Sequence, residues 1–159
     1  MHETSSKPIH QTNSNEIASK PELRMSREFA FPKRLVFEAW SKAEYVSKWF
    51  TPAPLTTPEC VVDLRSGGVF RVVMRMPDGQ EFPMDAVFTE VIPDERIVFE
   101  ATIHGGVDIH TVVTFTENQG RTTVNVHQRY SHESDATRGA QAGWTQTLNQ
   151  LEAHLKTRL

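Results

Sequence analysis

The sequence predicts an α+β domain in which one long C-terminal helix covers an antiparallel sheet, and three observations carry that prediction. Segments follow one another as strand, two short helices, six strands and a long helix. The links between the six strands are short and rich in Gly, Pro, Asp and Asn, so neighbouring strands must turn back on each other. Several strands alternate apolar with polar residues, which gives the sheet one dry face, and only the last helix is long enough to hide it.

Residues 1–20 are polar and without periodicity, and they read as a flexible tail ahead of a single folded domain over 21–159. A first strand is expected over 22–30, where "ELRMSREFAF" alternates. Pro32 suits the opening turn of a helix that carries Leu35, Val36, Phe37 and Trp40. Ser41 and Glu44 have the spacing of a capping box, and Tyr45, Val46, Trp49 and Phe50 follow at helical intervals until Pro52 ends the second helix. Strands are then expected near 60–65, 69–76, 81–92, 96–103, 107–117 and 121–130, separated by "SGG", "PDG", "PDE", "HGG" and "ENQG". Phe70, Val72 and Met74 alternate with Arg71 and Arg75, and Val124 and Val126 with Thr123, Asn125 and His127. In 107–117 the inward set is Ile109, Thr111, Val113 and Phe115; in 81–92, Phe82, Met84, Ala86 and Phe88 compete with Val87 and Val91 for the dry face. A continuous helix is expected from about Ser134 to Leu159, with a ladder of Leu148, Leu151 and Leu155.

The start of that helix is unusual. Ala136, Gly139, Ala140, Gly143 and Thr147 share one face in steps of three and four, and Trp144 and the leucines extend it with large side chains. Two interior glycines would each cost about 1 kcal/mol relative to Ala. Either the small residues let the helix lie directly on the sheet, or they leave a space that a ligand fills.

Composition narrows the function. The net charge is −3, with 17 basic residues scattered among 20 acidic ones, so there is no basic surface for nucleic acid. No apolar run reaches the length of a membrane span and no signal-peptide order opens the chain, so a cytoplasmic protein is expected. Cys60 is the only cysteine, which rules out an internal disulfide and reads as a small buried hydrophobe. His104, His110, His127, His132 and His154 lack metal-ligand spacing, no nucleophile elbow surrounds any serine, and Gly67–Gly68 and Gly105–Gly106 do not open helices. No catalytic residue, metal or cofactor is therefore expected. Asp85 and Glu100 read as solvent-facing carboxylates.

The segments "VFEAWSKAEYVSKWFTP" (36–52), "RSGGVFRVVMRMPDGQEFPMDAVFTEVIPDERIVFEA" (65–101), "VTFTENQGRTTVNVHQ" (113–128) and "GWTQTLNQLEAHL" resemble the START-like, helix-grip superfamily, also called SRPBCC. The nearest resemblance is to small bacterial proteins named after the C-terminal domain of the activator of heat-shock-protein-90 ATPase. It implies a strongly bent sheet of six to seven strands around the C-terminal helix, with the two short helices closing one end of an internal cavity. Superfamily members commonly hold lipids, sterols or aromatic polyketides there, so a hydrophobic or aromatic small molecule is the expected partner. Within such a cavity the inward parity nominates Thr111, Gln128 and Tyr130 as polar contacts and Met74, Met84, Phe88, Phe115 and Trp144 as walls, with Ala140 and Gly143 on the helix side. Two other classes stay open: a cavity enzyme of cyclase, dehydratase or hydrolase type, and a protein-binding module such as a chaperone partner. Sheet edges also offer a route to a homodimer. Chaperone activation itself is not the expected reading, because the eukaryotic activator also works through a separate N-terminal domain, and twenty polar residues are not expected to supply one.

Overall fold

A computed structural model describes residues 20–158 of the chain. The tail expected over 1–20 therefore lies outside the described residues except for Lys20, an exposed bend. Seven strands form one antiparallel sheet: β1 (Glu22–Phe29), β2 (Thr56–Val62), β3 (Val69–Arg75), β4 (Glu81–Ile92), β5 (Arg96–Ile103), β6 (Val107–Asn118) and β7 (Arg121–Tyr130). Their spatial order is β1-β7-β6-β5-β4-β3-β2. Five hairpins thus run in sequence across the sheet, and β1 returns to pair with β7. Helices α1 (Lys33–Glu38) and α2 (Ala43–Trp49) form the connection from β1 to the far edge, and α3 (Asp135–Arg138) and α4 (Ala140–Lys156) follow β7. The curved sheet wraps the last helix in the helix-grip fold.

Register brings the inward side chains into rows. Phe88, Phe99, Thr111, Gln128 and Leu23 stand opposite one another from β4 to β1, and the adjacent row carries Phe70, Ala86, Ala101, Ile109 and Tyr130. The competing sets in β4 are reconciled by a bulge at Thr89. Met84, Ala86 and Phe88 are buried before it, Val87 is exposed, and the extra residue reverses the parity so that Val91 joins the core after it. Asp85 and Glu100 lie on the outer face, where they pair with Arg71 and His110.

Three local expectations need correction. The strand expected over 60–65 lies at Thr56–Val62 instead. Pro58 is accommodated because β2 is an edge strand with an irregularity between Thr56 and Glu59, and 63–68 forms the turn. Gly68 is required in that turn: a Cβ there would come within 1.9 Å of the Asp63 carbonyl oxygen. Ser41 and Glu44 form no capping box; Lys42 is the N-cap of α2, and the Ser41 hydroxyl donates back to the Glu38 carbonyl. The C-terminal helix is not continuous. Ser134 and Thr137 cap α3 reciprocally, and Gly139 closes that turn before α4 begins, so only Gly143 bears the cost of an interior glycine.

One end of the space between helix and sheet is filled. Trp40, Trp49, Phe70, Phe88, Phe99 and Phe115 are all fully buried, with Trp40 edge-on to Trp49 at 4.9 Å and Phe70 stacked on Phe88 at 4.8 Å. The Trp49 indole nitrogen donates to the Ala39 carbonyl, which ties α1 to α2. Leu148, Leu151 and Leu155 seat the second half of α4 against this core.

Candidate functional site

The first half of α4 behaves differently. A Cβ built on Gly143 meets no atom within 4 Å, so the helix stands off the sheet there instead of resting on it. Beneath it lies a recess of about 240 Å³. Ala136, Ala140, Gly143, Trp144 and Thr147 form its helix side. Met74, Met84, Phe99, Ile103, Ile109 and Gln128 form the sheet side, and Phe50 and Pro52 close it from the segment after α2. Phe50 packs edge-on against Trp144 at 5.9 Å and against Phe70 at 5.3 Å, so it is the partition between the recess and the aromatic core.

Pro52 is held in place by the helix. Gln150 Nε2 donates to the Trp49 and Thr51 carbonyls while its Oε1 accepts from the Ala53 N–H, and Gln146 Nε2 donates to the Ala53 carbonyl. Two glutamines one turn apart thus satisfy the irregular backbone that forms this wall.

Six of the ten residues nominated from the sequence border the recess: Met74, Met84, Gln128, Ala140, Gly143 and Trp144. Phe88 and Phe115 face inward but belong to the aromatic core, where Phe88 stacks on Phe70 and Phe115 meets Phe37 edge-on. Thr111 and Tyr130 lie behind the lining as partners of Gln128. Gln128 Nε2 donates to Thr111 Oγ1 at 2.7 Å, and Gln128 Oε1 accepts from the Tyr130 hydroxyl at 2.6 Å and from Trp144 Nε1 at 3.3 Å. Burial pushes the Tyr130 phenol up to about 12, so it remains a donor at neutral pH. Sequence reading placed Ile109 inward without nominating it, and it did not nominate Phe50, Pro52, Phe99, Ile103, Ala136 or Thr147.

The lining contains no Asp, Glu, Lys, Arg, His or Cys. Among the described residues no three His, Cys, Asp or Glu side chains gather as a metal-ligand set. The histidines are dispersed: His110 pairs with Glu100, His127 with Glu22 and His132 with Ser131, while His104 lies edge-on to Phe82. His154 differs from these, for it is buried with Nε2 unpartnered beside Tyr45. Cys60 is half-buried, and that burial raises its thiol to about 11, so it stays protonated at neutral pH. Among the described residues no helix is long and apolar enough to cross a membrane.

Comparison with known proteins agrees with this architecture. A protein from Nitrosomonas europaea is 28% identical with a TM-score of 0.76, over 88% of this chain and 97% of its own. The AHSA1 protein from Silicibacter pomeroyi is 24% identical with a TM-score of 0.77, over 87% of this chain and 100% of its own. A protein from Chromobacterium violaceum is 22% identical with a TM-score of 0.78, over 84% and 96%. The last two bear on the fold alone. No protein of curated function matches the sequence. The model of one family, "Activator of Hsp90 ATPase homolog 1-like protein", matches residues 30–156, which takes in every strand except the first and the whole of the last helix. The chain belongs to that family.

Proposed function

We propose that the protein binds an apolar or aromatic small molecule in the recess between α4 and the sheet. The observation that carries this reading is the open space at Gly143. A helix that carried small residues in order to approach the sheet would bring atoms within van der Waals distance of a Cβ there, and none comes within 4 Å. The lining supports the same reading, being carbon-rich with two polar side chains, Gln128 and Thr147. A dry cavity of about 150 Å³ accepts benzene, so 240 Å³ accommodates about ten heavy atoms.

Naphthalene has that size and serves as a probe. With methionine methyl groups labelled for NMR, a titration is expected to shift the Met74 and Met84 signals, which border the recess, and to leave Met25 and Met76 in place. No shift at saturation, or an equal shift of all four, would refute the proposal.

A further inference from the structure

The corner of the recess at Gln128 has its protons directed by its neighbours. An indole nitrogen can only donate, so the Gln128 atom that Trp144 Nε1 meets at 3.3 Å is the amide oxygen. The Tyr130 hydroxyl, 2.6 Å from the same oxygen, therefore donates as well, and both lone pairs of Oε1 are used. This orientation turns Nε2 towards Thr111 Oγ1, which accepts one of its two N–H groups. The other N–H has no acceptor among the described residues, although Gln128 is only 7% exposed and borders the recess. Thr147, the second polar side chain of the lining, gives its own proton to the Trp144 carbonyl at 3.1 Å and has only lone pairs to offer. An unused lone pair is a milder deficit than an unused buried N–H.

Resting on the recess as the binding site, we propose that the ligand is an uncharged molecule with a hydrogen-bond acceptor of the carbonyl class at one end, and that this acceptor takes the spare N–H of Gln128. The rest of the ligand lies against Met74, Met84, Phe99 and Trp144. A carboxylate or ammonium group does not fit, because no opposite charge borders the recess to offset its loss of water.

Acetophenone, α-methylstyrene and benzoate share one flat frame and differ in presenting a carbonyl, a hydrocarbon or a carboxylate, so they serve as probes. Dissociation constants are measured for the wild type, Gln128→Glu and Gln128→Met. Ionised Glu retains the acceptors for Tyr130 and Trp144 and has no donor, protonated Glu has one O–H where Gln has two N–H groups, and Met has no donor at all. The ratio of the acetophenone to the α-methylstyrene dissociation constant is expected to rise about three- to tenfold in both variants. Binding of α-methylstyrene verifies that each recess is intact, and the wild type is expected to discriminate against benzoate without any substitution. An unchanged ratio, or benzoate binding as tightly as acetophenone, overturns the carbonyl assignment and leaves the recess reading standing. Failure of both neutral probes to bind the wild type overturns the two together.

Discussion

Gly143→Leu puts a side chain into the space on which the binding proposal depends. Leu adds four carbons, and at the packing of a benzene-sized cavity they occupy about 100 Å³. The recess falls from 240 Å³ to about 140 Å³, too small for a two-ring guest. Stability moves the other way. Replacing a helix-interior Gly recovers about 0.8 kcal/mol of propensity, and partial burial of the new side chain brings the gain to about 2 kcal/mol. For a domain of this size that raises Tm by about 4–8 °C. The assay pairs a thermal melt with the naphthalene titration. The expected result is a more stable protein whose Met74 and Met84 signals no longer respond. A lower Tm would show that the space beneath Gly143 is occupied, and a stabilised variant that binds normally would place the guest elsewhere.

Two further outcomes follow from the same geometry. Gln150→Ala removes the donor to the Trp49 and Thr51 carbonyls and the acceptor of the Ala53 N–H, so the Ala53 amide should exchange its hydrogen about tenfold faster, measured by NMR, with the α4 core amides unaffected; equal exchange at Ala53 would mean the clamp does not hold the Pro52 wall. His154 is governed by burial first and then by the Arg158 and Lys48 charges, all of which lower its pKa. The unfolded chain takes up this proton near pH 6.5 while the folded protein does so only at lower pH, so His154 erodes stability as pH falls from about 6.5 to that lowered value and no further below it. The urea midpoint of His154→Phe should therefore fall less than that of the wild type between about pH 7 and pH 5; parallel curves would refute the assignment.

Much of the sheet was legible because its signals are local. "ENQG" marks a two-residue turn, and Gln119 and Gly120 both have positive φ there, as such a hairpin requires. Period two correctly put Gln128 and Val126 on the inner face, while in β4 it left two sets in competition. What period two conveys is which face a residue occupies, not its level along the strand, and for that reason Phe88 and Phe115 were nominated although they lie in the filled end. The helix side read well in Ala140, Gly143 and Trp144 because helical spacing fixes both face and level. Phe50 and Pro52 were beyond reach, since glutamines about one hundred residues away position their segment. The bulge at Thr89 and the break at Gly139 each insert a single irregular residue, and a periodic pattern cannot locate one.

Phe50 has a consequence for how this molecule tolerates change. The packing that holds the domain together lies on one side of its ring, through Trp40, Trp49 and Phe70, and the open volume on the other, beside Trp144. Substitutions among Met74, Met84, Ile103 and Ala140 reshape the open side without reaching the tryptophan and phenylalanine cluster, so cohesion and selectivity can vary independently. Phe50, Phe99 and Trp144 are the exceptions, since each borders the recess and packs on another aromatic ring. A change at any of the three alters both properties at once, which makes these rings the fixed boundary for redesign and the surrounding lining the part free to diversify.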